Sequence, residues 1–156
     1  MEKFSKDFYN EMERLEKFYP IKEALLLPAL HAAQKERGWI SEQTMQDVAE
    51  FLEVPKTRVK EVATFYHMFH RKPVGKYNLH FCNNIACWLR GSEELIEHAE
   101  KKLGIRLHET TKDGLFTISE VECLGSCGTA PICQINEDYH EGLDAQSVDR
   151  LLGELK

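Results

Sequence analysis

Four of the five cysteines in this chain fall into two pairs. Cys82 and Cys87 enclose four residues, Cys123 and Cys127 enclose three, and 35 residues separate the pairs. Clustered thiols are soft ligands for iron–sulfur clusters and zinc. Neither pair is C-x-x-C, which disfavours thioredoxin-type dithiol exchange. A tight zinc knuckle more often leaves two residues between ligands. A [2Fe–2S] rhomb takes four thiolates, two per iron, and loops of three or four residues can wrap one side of it. The first gap matches the C-x₄-C part of plant-type ferredoxin spacing, but the second pair does not fit that pattern. On spacing, Cys82, Cys87, Cys123 and Cys127 are candidate ligands of one [2Fe–2S] cluster. Structural zinc and unligated thiols stand as alternatives.

The residues around the second pair suit that chemistry. Gly125, Ser126, Gly128, Thr129 and Ala130 are small and let backbone N–H groups approach sulfur closely. Such donors stabilise an anionic cluster, more so after it gains an electron. Cys133 lies in an expected strand and reads as a buried free thiol acting as a small apolar residue. His67 and His70 are spaced for one helix face and read as surface or capping residues. No paired carboxylates, nucleophile elbow or Gly-rich phosphate loop is present, so the chain shows no catalytic residues or substrate site of its own.

Elements must bring the two pairs together. Tyr77, Leu79 and Phe81 alternate with Asn78 and His80, a strand signal that runs into Cys82. Phe116 and Ile118 alternate with Thr117 and Ser119, a second strand leading to Cys123. Between them, Leu95, Ile96, Ala99 and Leu103 form a helical stripe stopped by Gly104, and Asp113-Gly114 marks a turn. A third strand spans 132–136, a short partner lies around Tyr139, and Val148, Leu151, Leu152 and Leu155 make a closing helix with Asp144 as its N-cap. If the first two strands are neighbours, all four thiols converge at one sheet edge.

The first seventy or so residues read as helices. Their stripes are Phe4, Phe8, Leu15 and Phe18, ended by Pro20; Leu26, Leu30 and Ala33, with Pro28 disturbing the first turn and Gly38 stopping it; Met45, Val48, Ala49 and Leu52 behind an N-cap at Ser41; and Val59, Val62, Ala63 and Tyr66 after Pro55. The expected architecture is α+β: a helical bundle over 1–72, a short linker, and an α/β domain with a small mixed sheet over 76–156.

Composition sets the outer bounds. With 42% hydrophobic residues the chain can bury a core, and its formal net charge of −6 repels phosphate backbones and anionic membranes. No apolar run approaches the ~20 residues of a membrane-spanning helix, and neither a secretory signal nor a transit peptide is visible. The expectation is a soluble intracellular protein, with no nucleic-acid partner and no direct membrane insertion.

The segment from Phe81 to Gly91, FCNNIACWLRG, resembles the first cluster loop of the E-type subunit family of NADH-quinone oxidoreductase. The segment from Cys123 to Pro131, CLGSCGTAP, resembles its second. Gly38-Trp39-Ile40-Ser41 and the stretch Val62 to Phe69 are similar to family segments in the helical half. The resemblance runs from about Pro20 to Lys156. It implies a thioredoxin-like [2Fe–2S] ferredoxin domain behind a helical bundle, with Cys82, Cys87, Cys123 and Cys127 as iron ligands. It also implies a partner flavoprotein subunit that binds FMN and NADH, further peripheral-arm iron–sulfur subunits, and a place on the cytoplasmic side of a membrane-associated respiratory complex. One face of the helical half would dock on the flavoprotein. Related subunits serve NAD(P)-linked hydrogenases and formate dehydrogenases, which leaves the terminal acceptor open.

Two other classes fit parts of the sequence. Residues 41–66 read as helix, turn, helix with Lys56, Arg58 and Lys60 leading the second helix, which is the outline of a redox-sensing DNA-binding regulator. The acidic balance opposes it, and Phe65, Tyr66 and Phe69 read as packing residues. An independent thiol oxidoreductase would need an exposed cysteine of low pKa.

Overall fold

The computed structural model describes residues 3–155. The chain divides into two compact units, one up to Pro73 and one from Val74 on.

The first unit is helical: α1 (Lys6–Glu16), a 3₁₀ turn (Lys22–Leu25), α2 (Leu26–Arg37), α3 (Glu42–Leu52) and α4 (Lys56–Phe65). Ser5 caps α1 by accepting from the Phe8 N–H at 3.3 Å. Phe4 lies before that cap rather than inside the helix, and it stacks on Phe8 with ring centroids 4.1 Å apart. Met12, one turn beyond Phe8, is buried. Phe18, expected on the same stripe, is 75% exposed because α1 ends two residues earlier. The irregular start of α2 is the 3₁₀ turn, and Pro28 falls in the first turn of α2, where its missing N–H would have had no partner. Gly38 ends α2 in the left-handed conformation, at φ 80°. Ser41 caps α3 through the Thr44 N–H, as its position implies.

Asp47 is buried on α3 and meets Arg37 of α2. The Arg37 guanidinium donates to the carboxylate at 2.8 Å and to Thr44 Oγ1 at 3.2 Å, while Gln43 donates to the second carboxylate oxygen at 2.9 Å. Burial alone would raise this carboxyl, but the hydrogen bonds from Arg37 and Gln43 hold it below its ordinary range. A mixed apolar and ionic seam therefore joins α2 to α3. His67 and His70 follow α4 in irregular chain and share no helix face. Phe65 is 80% exposed at the last turn of α4, so it is not a packing residue, whereas Phe69 is buried.

The second unit holds β1 (Tyr77–Cys82), α5 (Ile85–Trp88), α6 (Ser92–Leu103), β2 (Phe116–Val121), β3 (Ile132–Ile135), β4 (Asp138–Glu141) and α7 (Ala145–Glu154). The strands form one mixed sheet in the order β2-β1-β3-β4. β1 and β2 run parallel, with α6 in their crossover, and β3 is antiparallel to both β1 and β4. Leu79, Phe81, Phe116, Ile118, Cys133 and Ile135 point from one sheet face into a core shared with Leu95, Ile96 and Ala99 of α6 and Val148 and Leu152 of α7. Each fully buried Leu, Ile or Phe contributes about 1.5–3 kcal/mol.

The other sheet face is polar but not simply solvated. Asn78 and Thr117 are buried. Asn78 Oδ1 accepts from Ser119 at 3.0 Å, and Thr117 Oγ1 accepts the Gly75 N–H at 2.6 Å. Gly75 has a steric reason to be glycine: a Cβ there would stand 2.7 Å from the backbone carbon of Phe116. Asp144 caps α7 in a reciprocal arrangement with Ser147. The overall class is α+β, as the sequence pattern implies.

Candidate functional site

The parallel pairing of β1 with β2 decides where the cysteines go. Its register sets Cys82 opposite Val121, so both strands release their chains at the same end of the sheet. The Asn83 N–H donates to Val121 O at 3.0 Å, extending the ladder one step past β1. The Asn83 side chain donates to Glu120 at 3.1 Å, tying the first loop to β2.

The first loop turns at once into α5, an element that the spacing of the cysteines does not announce. Asn84 is its N-cap, the side chain accepting from the Ile85 N–H at 2.8 Å. Cys87 lies on the inner side of this short helix. Cys82 and Cys87 are both buried, in a small cluster with Ala130 and Ile132 against which Ala86 and Leu124 pack. Burial pushes the Cys87 thiol up to about 11, and its hydrogen bond with the Cys82 thiol adds to this. The Ile132 backbone N–H acts the other way, by donating to the Cys87 sulfur, and Cys127 is close enough to raise the Cys87 thiol further by charge.

The second loop carries Cys123 and Cys127, both exposed. Gly125, at φ 79°, turns its N–H onto Cys123 Sγ at 3.3 Å. This is the kind of N–H···S contact that the run of small residues implies. Cys127 opens a single 3₁₀ turn that ends at Thr129. Ser126 Oγ bonds Thr129 Oγ1 at 2.8 Å and also the Glu141 carboxylate, which anchors the loop to β4. Ala130-Pro131 is a cis peptide leading into β3.

The structure thus pairs Cys82 with Cys87 through a thiol hydrogen bond and sets Cys127 near enough to act on Cys87 by charge. It places Cys123 on the same loop as Cys127, with its sulfur held by Gly125. Among the described residues, no three His, Cys, Asp or Glu side chains stand close enough to hold a single metal ion. Cys133 is a different kind of cysteine: it is free, buried on the opposite sheet face among core residues, and its thiol is pushed far up by desolvation.

Sequence reasoning misses one more feature. Ile85, Trp88 and Leu89 are 71%, 53% and 70% exposed. Their i, i+3, i+4 spacing is an ordinary helical signal, and Asn84 is an ordinary N-cap. Because the segment lies between two candidate ligands, it reads first as a spacer.

The family model of the thioredoxin-like [2Fe–2S] ferredoxins matches residues 12–156. The chain belongs to that family. As a thioredoxin-like [2Fe–2S] ferredoxin it falls among iron–sulfur proteins. It is 47% identical over 142 residues to the second E-type subunit of NADH-quinone oxidoreductase of Rhizobium meliloti, covering 91% of this chain and 84% of that protein. It is 46% identical over 154 residues to the E-type subunit of NADH-quinone oxidoreductase of Rickettsia felis, covering 97% and 92%. Those relatives are subunits of an oxidoreductase complex. Its fold is also similar to a chain of an NAD⁺-reducing [NiFe]-hydrogenase in the air-oxidized state, with a TM-score of 0.74 and 26% identity. That match covers 84% of this chain and 22% of the hydrogenase chain. Among the described residues, no helix is long and apolar enough to cross a membrane.

Proposed function

We propose that this chain is the electron-transfer subunit of an NADH:quinone oxidoreductase. Its cofactor is one [2Fe–2S] cluster held by Cys82, Cys87, Cys123 and Cys127. The observation that carries this reading is the β1–β2 register, which sends both cysteine loops from one sheet end. The donor set fits the group. Four thiols in two pairs would supply two thiolates per iron, the donor set that a [2Fe–2S] rhomb takes.

A bound [2Fe–2S] cluster takes up and releases one electron at a time. The chain's own residues set the conditions for it. Cys82 and Cys87 lie in an apolar pocket, which disfavours added negative charge and favours a low potential. The N–H groups of Gly125 and Ile132 are aimed at the sulfurs of Cys123 and Cys87 and oppose that trend.

The partner in this reading is a flavoprotein subunit that binds FMN and NADH, with other peripheral-arm iron–sulfur subunits beyond it. The complex would sit on the cytoplasmic side of a membrane. Identities of 46–47% over nearly the whole chain support the quinone-linked assignment. The likeness to an NAD⁺-reducing [NiFe]-hydrogenase supports a second reading, the equivalent subunit of a soluble NAD(P)-linked hydrogenase, at the lower identity of 26%.

The test is purification of the full chain, iron and sulfide analysis, a visible spectrum, and EPR after dithionite reduction. Two irons and two sulfides per chain, with a rhombic signal from the reduced protein, are expected. A colourless protein with one zinc per chain would overturn the assignment.

A further inference from the structure

Ser92 Oγ is the one buried side-chain oxygen or nitrogen among the described residues that has no hydrogen-bond partner. The residue is 1% exposed. Orphaned polar atoms at that depth are uncommon in native proteins, and they mark strain, ordered water, an ion or a redox group.

Its place in the fold narrows that choice. Ser92 opens α6 on the same buried stripe as Leu95, Ile96 and Ala99. α6 is the crossover between the parallel strands β1 and β2, so it runs back against them. Its first turn therefore lies at the sheet end where Cys82 closes β1 and both cysteine loops leave. Leu95 and Ile96, about a turn further along α6, share the core with Phe81 of β1. α5, which carries Cys87, packs against α6. The chain between the two helices is closed tightly: the Arg90 N–H donates to Cys87 O at 3.1 Å and the Gly91 N–H to Trp88 O at 3.0 Å. Gly91 then turns the chain at φ 87° and brings Ser92 inward.

The surroundings offer a hydroxyl little else to bond. Cys82, Cys87, Ala130 and Ile132 cluster at this end of the sheet. A buried water needs two to four polar partners, and Ser92 is the only unpaired buried side-chain group to supply one. Sulfur carrying negative charge is the acceptor that belongs here, and the thiolate and sulfide sulfurs of a [2Fe–2S] centre carry it. On the reading of this chain as a [2Fe–2S] electron-transfer subunit, we infer that Ser92 tunes the centre: its hydroxyl donates a hydrogen bond to a sulfur of the bound cluster on the Cys82–Cys87 side and raises the reduction potential. The bond strengthens when an electron arrives, because the acceptor sulfur becomes more negative. Ser92 thus works with the Gly125 and Ile132 N–H groups against the apolar pocket.

The experiment uses the full-length holoprotein. Ser92→Ala should keep the wild-type iron and sulfide content. Its reduction equilibrium should shift about three- to tenfold toward the oxidised form, about 30–60 mV in a one-electron couple. Ser92→Thr, which keeps a hydroxyl, should stay nearer the wild-type potential. Reduced wild-type protein exchanged briefly into D₂O should show, by pulsed EPR, an exchangeable deuteron coupling that Ser92→Ala lacks. A loaded Ser92→Ala with unchanged potential and unchanged deuteron coupling would overturn the inference. A shifted potential with the coupling retained would assign the effect to packing and overturn it as well. A wild-type spectrum with no such coupling overturns it whatever the variants do, including a Ser92→Ala chain that fails to fold. A wild-type protein without a [2Fe–2S] spectrum would instead remove the functional reading on which the inference rests.

Discussion

Cys82 stands opposite Val121 across the parallel β1–β2 pair, and Cys123 follows Val121 by two residues. The first thiol of each loop is therefore within a residue or two of a strand end, and the two ends are adjacent. A rigid sheet fixes the start of both cysteine loops, and the loops need only close over the remaining short span.

Ligand replacement gives the most direct check. Cys82→Ser, Cys87→Ser, Cys123→Ser and Cys127→Ser should each release or distort the cluster. Each should weaken its retention by more than the ~10–100-fold typical of outer-shell changes at metal sites. Iron content and the EPR line shape report this. Cys133→Ala should leave both unchanged, because its thiol points into the opposite face's core. It should lower stability by about 1 kcal/mol for the lost packing.

Gly125→Ala probes the N–H···S contact to Cys123. A Cβ at this position meets nothing within 4 Å, but φ 79° is strained for any L side chain. If the strain moves the N–H off the sulfur, the reduced form loses one stabilising donor. The potential should fall by about 20–65 mV, the equivalent of ~0.5–1.5 kcal/mol in a one-electron couple. A redox titration followed by EPR measures it; an unchanged or raised potential would contradict the role given to this donor.

Gly75→Ala should destabilise the second unit. The new methyl would meet the backbone of Leu115 and Phe116 at 2.7–2.8 Å, where no flexible side chain can yield. Forcing β1 away from β2 should cost about 1–3 kcal/mol. The cost appears as a lower midpoint in urea, with cluster loss following unfolding.

The ion pair between Arg37 and Asp47 predicts a pH dependence. The folded-state pKa of Asp47 lies below its unfolded value, so the contribution is complete above the ordinary carboxylate range. It is lost as pH falls through the depressed folded value. Asp47→Ala removes the carboxylate partner of Arg37, which keeps Thr44 Oγ1 and the Lys3 carbonyl as acceptors, and should cost about 1.5–3 kcal/mol at neutral pH, the range for a hydrogen bond to a charged group. The gap between wild type and variant should narrow in acid. Denaturant midpoints measured from neutral pH down to the acid limb would reveal a constant gap if the pairing is unimportant.

Much of this molecule is decided locally, and that part is legible in the chain. Ser41, Gly38, Gly104 and Asp144 act at helix ends through partners no more than four residues away. Strand alternation and the four cysteine positions are local facts of the same kind. The parallel β1–β2 register that gathers the thiols depends on segments some forty residues apart, and no periodicity within either strand encodes which neighbour it takes. Exposure is decided the same way. Phe18, Phe65 and the α5 stripe carry apolar residues at helical spacing, as the core helices do, yet they face outward because nothing in their own units packs over them. Conversely Asn78 and Thr117, polar and alternating, are buried because Ser119 and Gly75 supply their hydrogen bonds. Sequence determined the ligand chemistry and the elements that carry it. The tertiary contacts decided which ends meet and which faces remain open, since burial is set by neighbours distant in the chain.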